Sequence, residues 1–490
     1  MLILAAMLFA LVPPSWAALV FLLPPFPGLF GRQAVLPGLF FALWAGVAAA
    51  LWAFYPVLHG TMALAGAGLI LVLIRGQLIA SVAQGSVPPG SLSFAKGVRA
   101  LARRDFYQRE FGRYGPIFKS SQFGAPVICV AGLERICQLL RTHADQLGPS
   151  PLAFSQGLQG NFLRYMNSEA HSFYGGLFRR AMVGQSSPAL DVCLHEKAQS
   201  MLVGLSRRGC ISVNALLHQF SQECLDVMLF GFTANDAIGQ RFAELSEGFG
   251  RSSIGRVMSG SDRMQLNQLI RLLDIQLSRL RSNPAPGQPV LLKLLHLDST
   301  MPDRVCLENL VFMRKIAASD IASLLLWLLY HWGMQTEISA QIQPMEAAQK
   351  AMALDAFLAE TLRLSQSEYI YRCVDQEFNF EGFVFPRGWL VRCCIWETHR
   401  SARELPGPSE FRLRLNRSSY DNGHYAPFGV DRHACNGVDL CNAISRAFLK
   451  ALSNGISVEL KHSEPFQRQM RHWSHWGPNR AMTALLTLSS

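Results

Sequence analysis

The stretch Tyr425–Ser445, "YAPFGVDRHACNGVDLCNAIS", puts one of the chain's eleven cysteines inside a glycine-punctuated loop that runs straight into a helical pattern. A cysteine that binds metal or attacks a substrate does so as the thiolate, so its surroundings have to stabilise negative sulfur. Three features around Cys435 can do that. Helical spacing begins just after it, which aims unpaired backbone N–H groups and the positive end of a helix dipole toward the sulfur. Gly437, two residues on, lets the backbone come close, and the preceding "FGV" suits a tight turn. Arg432 and His433 add donors for a nearby anion. A buried structural cysteine accounts for each feature singly but not for their joint spacing.

The other ten cysteines are scattered and form no CxxC pair, the spacing of zinc sites. They read as reduced, mostly buried thiols of a chain facing the cytosol. With 490 residues, 50% hydrophobic and only 16% charged, the chain can bury a large core, which excludes disorder as its default state. The net charge of +11 admits nucleic acid, anionic lipid or an acidic protein as partner. No basic-aromatic module accompanies it, so nucleic acid is not expected.

Upstream of the loop, "APVICV" (125–130) reads as a short buried strand. "YIYRCV", "FNFEGFVFP" and "WLVRCCIW", between 369 and 396, read as strands around turns at Glu381–Gly382 and Pro386–Gly388. Elsewhere the apolar spacing is mostly helical, as in "AQKAMALDAFLAETLRL" and "SRAFLKALSNG". "IASLLLWLLYHW" (321–332) is too short to span a bilayer and follows Arg314, Lys315 and Asp320, which makes it a buried helix. The expected class is mainly α with a minor β-sheet.

Residues 1–74 carry one formal charge, Arg32, and divide into apolar runs at 2–23, 34–57 and 60–74. The first two are long enough to cross the roughly 30 Å hydrocarbon layer as helices. Residues 1–75 therefore read as a membrane anchor of two to three transmembrane helices, with 76–95 as a Pro/Gly hinge and 96–490 as the catalytic domain. Arg32 and the basic residues Arg75, Lys96, Arg99, Arg103 and Arg104 fall on one side if all three runs span, which puts the large domain in the cytosol. A second reading takes residues 1–17 as a signal peptide, with Ser15 and Ala17 near its cleavage site.

Phe428, Gly429, His433, Cys435 and Gly437 match the haem-binding loop of the cytochrome P450 family, and the chain resembles that family from about residue 88 onward. The resemblance implies the cytochrome P450 fold behind a hydrophobic N-terminal anchor, haem b (iron protoporphyrin IX) as cofactor and Cys435 as its axial thiolate, which favours O–O cleavage. It also implies His433 on a haem propionate and Phe428 shielding the sulfur. Asp431 stands where the family prefers glycine. "AETLRL" places Glu360 and Arg363 on one face of a helix similar to the family's K helix, a structural pair. The arginine that normally completes this pair in a Phe-x-Pro-x-Arg segment is missing: the chain reads Phe411-Arg-Leu-Arg-Leu415, and Arg414 or Arg417 is its substitute. "SEAHSFYGGLFRRAM" is similar to the C helix, with His171 toward a propionate and Gly175 in place of an expected arginine. Arg372 occupies a strand position that meets the other propionate.

"VFMRKIAASDIASLLLW" resembles the long I helix, with Asp320 as the acid of a catalytic proton relay. Ile321 stands in place of the usual threonine, and neither Ser319 nor Ser323 lies on its side of a helix. Dioxygen activation needs protons at the outer oxygen, so two enzymatic readings stay open. One is a monooxygenase acting on a hydrophobic substrate, by its loop character in secondary-metabolite biosynthesis, and supplied with electrons by an NADPH-dependent flavoprotein reductase. The other is a peroxide-using or rearranging haem-thiolate enzyme; a non-catalytic haem-binding protein is a third. A reductase would dock on a basic face formed by Arg179, Arg180, Arg432, Arg446 and Lys450. The substrate would meet the segments 150–165 and 230–260 and Ala317–Ile321. The lipid bilayer is a further expected partner, that of the endoplasmic reticulum if the source is a eukaryote.

Overall fold

The computed structural model describes residues 86–488 apart from 123–124, 150–161, 164–165, 167, 186, 234–235, 250–258, 283–288, 298–302, 367–369, 402–406, 416–424, 431–433, 462–465, 469–475 and 480. The expected anchor, residues 1–75, lies outside this range. Among the described residues no helix is long and apolar enough to cross a membrane. The chain divides into two compact units, the smaller made from residues up to 131 with 138–152 and 370–394.

The smaller unit is built on a five-stranded sheet. Its strands are β1 (Ile117–Gln122), β2 (Ala125–Val130), β3 (Leu147–Pro149), β4 (Ile370–Val374) and, beyond a separate hairpin of β5 (Phe378–Phe380) and β6 (Phe383–Phe385), β7 (Leu390–Cys393). The order is β1-β2-β7-β4-β3. Only the β2–β7 pair is parallel, joining Val127–Val130 to Leu390–Cys393. Every residue of β2 is buried, as a continuous apolar run in a central strand requires. The hairpin turns through Glu381 and Gly382, both at positive φ (46° and 79°), the backbone of a two-residue primed turn. The described end of the expected hinge is bonded to this unit: Lys119 N–H donates to the Pro89 carbonyl at 2.7 Å and Val384 N–H to that of Ser86 at 2.9 Å. Gly90 at φ +127° lies so close to β1 that a Cβ there would come within 2.1 Å of the Lys119 oxygen.

The larger unit is helical. Five of its helices matter for the site: α1 (Ser168–Met182), α2 (Asn214–Phe230), α3 (Asp303–Met334), α4 (Ala347–Thr361) and α5 (Val438–Leu452). A three-stranded sheet of Ile211–Ser212, Thr483–Leu488 and Ile456–Leu460 accompanies them. In α3, Leu324 to Leu329 are at most 2% exposed, so the leucine-rich run is the buried helix its length implied. Burying one such leucine contributes about 2 kcal/mol. Where α3 passes α2, the Arg314 guanidinium grips the Asp226 carboxylate through two bonds of 2.7 and 2.8 Å. Burial raises the Asp226 pKa, and the Arg314 charge works against that rise.

Candidate haem-thiolate site

The cysteine loop is held at both ends. Gly429 N–H donates to the Ala426 carbonyl at 3.1 Å, closing a turn whose last residue is at φ +81°, a position glycine fills without strain. Cys435 N–H then donates to the Phe428 carbonyl at 2.8 Å. Gly437 caps α5, which starts at Val438, so Cys435 sits two residues before the cap. Two contacts, one from α1 and one from the turn after it, steady this helix start: Arg179 Nε donates to Asn436 Oδ1 at 3.5 Å and Gly184 N–H to Asp439 Oδ2 at 2.8 Å.

Cys435 is exposed by accessible area, yet burial raises its thiol pKa. Both hold for a side chain that protein surrounds but that borders an internal space, and we read Cys435 in that way. The Gly437 N–H, hydrogen-bonded to the sulfur, pulls the pKa back, and the Asp320 carboxylate pushes it up. Burial raises the Cys441 thiol too, with Cys435 and then Asp320 adding to the rise, so the three groups share one electrostatic neighbourhood.

Helix α3 supplies the other side of that neighbourhood. Met313, Ile316 and Ala317 are half-buried and Asp320 is exposed, at i, i+3, i+4 and i+7 of an otherwise largely covered helix, so they form one accessible stripe. Ile321 is 4% exposed and lies about 100° round the helix from Asp320. The residue in place of the usual threonine is thus packed into the core, and Asp320 is the acid on the stripe. Ser323 is buried and Ser319 half-buried. One to two turns earlier, Phe312 packs on Phe162 (5.4 Å between centroids) and Phe249 (5.8 Å), joining parts of the two expected substrate segments to α3. Leu163 N–H donates to Asn309 Oδ1 at 2.8 Å, and Lys315 donates to the Phe249 carbonyl while standing 4.9 Å from that ring's centroid.

Behind the loop, Glu360 and Arg363 are both 0% exposed, not a solvated pair. Arg363 sits in the π-helical turn Leu362–Gln366 that ends α4 and donates to both Glu360 oxygens at 2.8 Å. It also donates to the carbonyls of His399 (2.8 Å), Pro408 (2.6 Å) and Glu410 (3.1 Å). Arg414 takes the missing third position, its guanidinium 2.5 Å from Glu360 Oε1, and Arg412 N–H donates to the same oxygen at 3.0 Å. Arg417 lies outside the described residues. Burial raises the Glu360 pKa, but the hydrogen bonds and charges of Arg363, the Arg412 N–H and Arg414 outweigh it and hold the carboxyl below its ordinary value.

The larger unit therefore brings together Cys435, Gly437, Phe428, Asp320, Glu360 and Arg363. Phe428 is half-buried against the main core. His171 is in the same unit on α1, its ring 3.4 Å from where a Cβ at Gly175 would stand, an ordinary contact distance. Arg372 belongs to the smaller unit, on β4 between Pro149 and Val391. His433, with Asp431 and Arg432, lies outside the described residues. Of the expected basic face, Arg179, Arg180, Arg446 and Lys450 are exposed, and Arg446 is also paired with Asp355 at 2.6 Å. Nothing in the sequence singled out His399, whose backbone receives Arg363.

Residues 333–477, which contain the Glu360 cluster and the cysteine loop, match the family model described as Cytochrome P450. The chain belongs to the cytochrome P450 superfamily. Abscisic acid 8'-hydroxylase 4 of Arabidopsis thaliana is 20% identical to this P450 over 81% of the chain and 92% of its own length. Cytochrome P450 26B1 of Xenopus tropicalis is 24% identical over 79% and 82%. Among solved structures, retinoic acid-bound cyanobacterial CYP120A1 has the same fold, with a TM-score of 0.66 at 19% identity over 83% of this chain and 100% of that one. The chain is accordingly a P450 monooxygenase, an oxidoreductase with haem as cofactor. Its residues fit that group: an accessible sulfur with a backbone donor stands at a helix N-terminus, and the glycine beside it leaves a place where a Cβ would sit 3.9 Å from the sulfur.

Proposed function

We propose that this cytochrome P450 inserts one oxygen atom from dioxygen into a hydrophobic small molecule, with Cys435 as the axial ligand of the haem iron. The observation that carries this reading is the placing of Cys435, accessible yet surrounded by protein, and within electrostatic reach of the acid on the α3 stripe. Haem, when bound, supplies the redox chemistry. The chain's own residues do the rest. Gly437 N–H and the start of α5 stabilise negative charge on the sulfur, and Phe428 packs beside the loop. Asp320 holds and passes a proton on the stripe, in place of a hydroxyl at 321. His433 and His171 take a propionate, and Glu360, Arg363 and Arg414 hold the segment leading to the loop. Met313, Ile316, Ala317 and the Phe162–Phe249–Phe312 cluster make the substrate's surroundings apolar.

The finer biology belongs to the same proposal. Residues 1–75 anchor the protein in a bilayer with residues 96–490 as the catalytic domain on the cytosolic side. An NADPH-dependent flavoprotein reductase docks by charge on Arg179, Arg180 and Lys450. The product enters secondary metabolism. Relatives named for abscisic acid and retinoic acid make hydrophobic acids the first compounds to screen.

The test is the spectrum of the reduced protein under carbon monoxide, with a Soret band near 450 nm expected from thiolate-ligated haem. Folded protein that takes up no haem refutes the reading. Turnover with reductase and NADPH, compared with turnover on peroxide alone, then tests dioxygen as the oxidant.

A further inference from the structure

His399 ends the short helix Ile395–His399 and is 0% exposed, one of the few titratable groups in the larger unit to be so deeply buried. Its two ends do different things. Its carbonyl accepts the 2.8 Å bond from Arg363, while its ring Nε2 stands 3.0 Å from the Ala426 nitrogen. A backbone N–H can only donate, so Nε2 is the unprotonated nitrogen and the ring proton sits on Nδ1. Among the described residues that Nδ1 has no partner. Burial, with the Arg363 charge second, lowers the ring's pKa to about 3, so the acceptor persists through the neutral range. The ring also stacks on Tyr425 at 5.6 Å and 25°, and the Tyr425 hydroxyl donates to the Ala359 carbonyl of α4 at 3.2 Å. Both residues that open the cysteine loop are thus fastened to elements that hold the Glu360–Arg363–Arg414 cluster. From Ala426 the path to the thiol is short: the 426–429 turn, then Phe428 carbonyl to Cys435 N–H.

We propose that His399 is a positioning residue whose neutral ring, by accepting the Ala426 N–H, transmits the buried Glu360–Arg363–Arg414 cluster to the loop and fixes where Cys435 stands. The proposal rests on the haem-thiolate reading for its spectral consequence only; the hydrogen bond acts on the loop whether or not haem is held.

Three variants of the full-length protein separate acceptor from bulk. H399Q brings an amide oxygen to the Nε2 position, H399N ends at the Nδ1 position and falls short of Ala426, and H399L keeps volume with no acceptor. Backbone hydrogen exchange by mass spectrometry, on peptides spanning residues 425–435, reads the loop; the 450 nm band after reduction under carbon monoxide, and the rate of haem transfer to apomyoglobin, read the thiolate. In H399Q the loop exchanges within about threefold of the parent and the band is retained. In H399N and H399L the loop exchanges at least about tenfold faster, haem leaves faster by a similar factor, and the band moves toward 420 nm. If H399L does not fold, the H399Q and H399N pair decides. Equal behaviour of that pair, whether both intact or both loosened, overturns the proposal. If the parent shows no 450 nm band, the haem reading fails by itself, and the exchange comparison still decides the role of His399.

Discussion

Replacing Arg414 by methionine removes one of at least four hydrogen bonds to a carboxylate that has no exposed surface. Two come from Arg363 and one from the Arg412 N–H. Losing one partner of a buried ion pair typically costs about 3–5 kcal/mol. Glu360 keeps at least three donors, and Arg414 is 11% exposed, so we expect a loss close to that of one charge-assisted bond, about 2 kcal/mol. Arg412 is the internal control: its side chain meets Glu410 at the surface, where each partner is more than half exposed, and R412M should cost less than about 0.5 kcal/mol because the N–H survives substitution. With a urea m-value of about 3 kcal/mol/M, R414M lowers the unfolding midpoint by about 0.7 M while R412M hardly moves it. The pH dependence follows from the depressed Glu360 pKa. Its contribution is complete above the ordinary carboxyl value of about 4.3 and is lost as pH falls through the lower folded value. In R414M the folded value rises toward the ordinary one, so the gap between parent and variant is widest above about pH 5 and closes in acid. Equal losses in R412M and R414M, or a gap that widens as pH falls, would refute the assignment of Arg414 to this cluster.

Cys435→Ala should abolish the 450 nm band in protein that folds, and Cys441→Ala should retain it, because Cys441 lies on the buried face of α5; the reduced carbon monoxide spectra of both variants decide. Asp320→Asn should keep the band yet slow NADPH-driven turnover by about 100-fold, the usual scale of one proton-transfer group, with hydrogen peroxide release measured alongside. Ile321→Thr should not raise the coupling of NADPH to product, because position 321 faces the core; it should lower the thermal midpoint, costing about 1–3 kcal/mol for a buried hydroxyl and a lost methyl.

How far the sequence could be read depended on whether the information was local. The strand at 125–130 was legible as an apolar run, and the structure has Ala125–Val130. The hairpin was legible because Glu381–Gly382 sits between aromatic alternations, and both residues have the positive φ that such a turn needs. "SEAHSFYGGLFRRAM" is a helix over its full length. The cysteine loop was legible because glycine, thiol and helix start lie within ten residues. Arg414 was not separable from Arg417, since the choice turns on which way an irregular segment presents its side chains to a carboxylate more than fifty residues away. His399 carried no signal at all: a lone histidine after a short apolar run looks the same whether it is exposed or is tied to a backbone N–H 27 residues on.

The phase of α3 failed for a different reason, and it bears on the chemistry. A surface helix shows a polar face and an apolar face, so its periodicity tells which side is in. Helix α3 has the protein core on one side and an accessible stripe on the other, and both carry similar residues. Met313, Ile316 and Ala317 on the accessible stripe are no more polar than Ala318 and Ile321 on the covered side. Periodicity therefore carried no phase, and Ile321's standing in place of the usual threonine did not say which of Asp320 and Ile321 is accessible. Accessibility supplies the phase, and it singles out Asp320: a carboxylate exposed in the middle of a helix whose next nine residues are all buried. A charge in such surroundings is costly unless it has work or partners there. On the proposed function, the replaced threonine leaves Asp320 as the acid of the accessible face, and the Asp320 and Ile321 variants, measured side by side, distinguish a relay that has moved by one residue from one that has been lost.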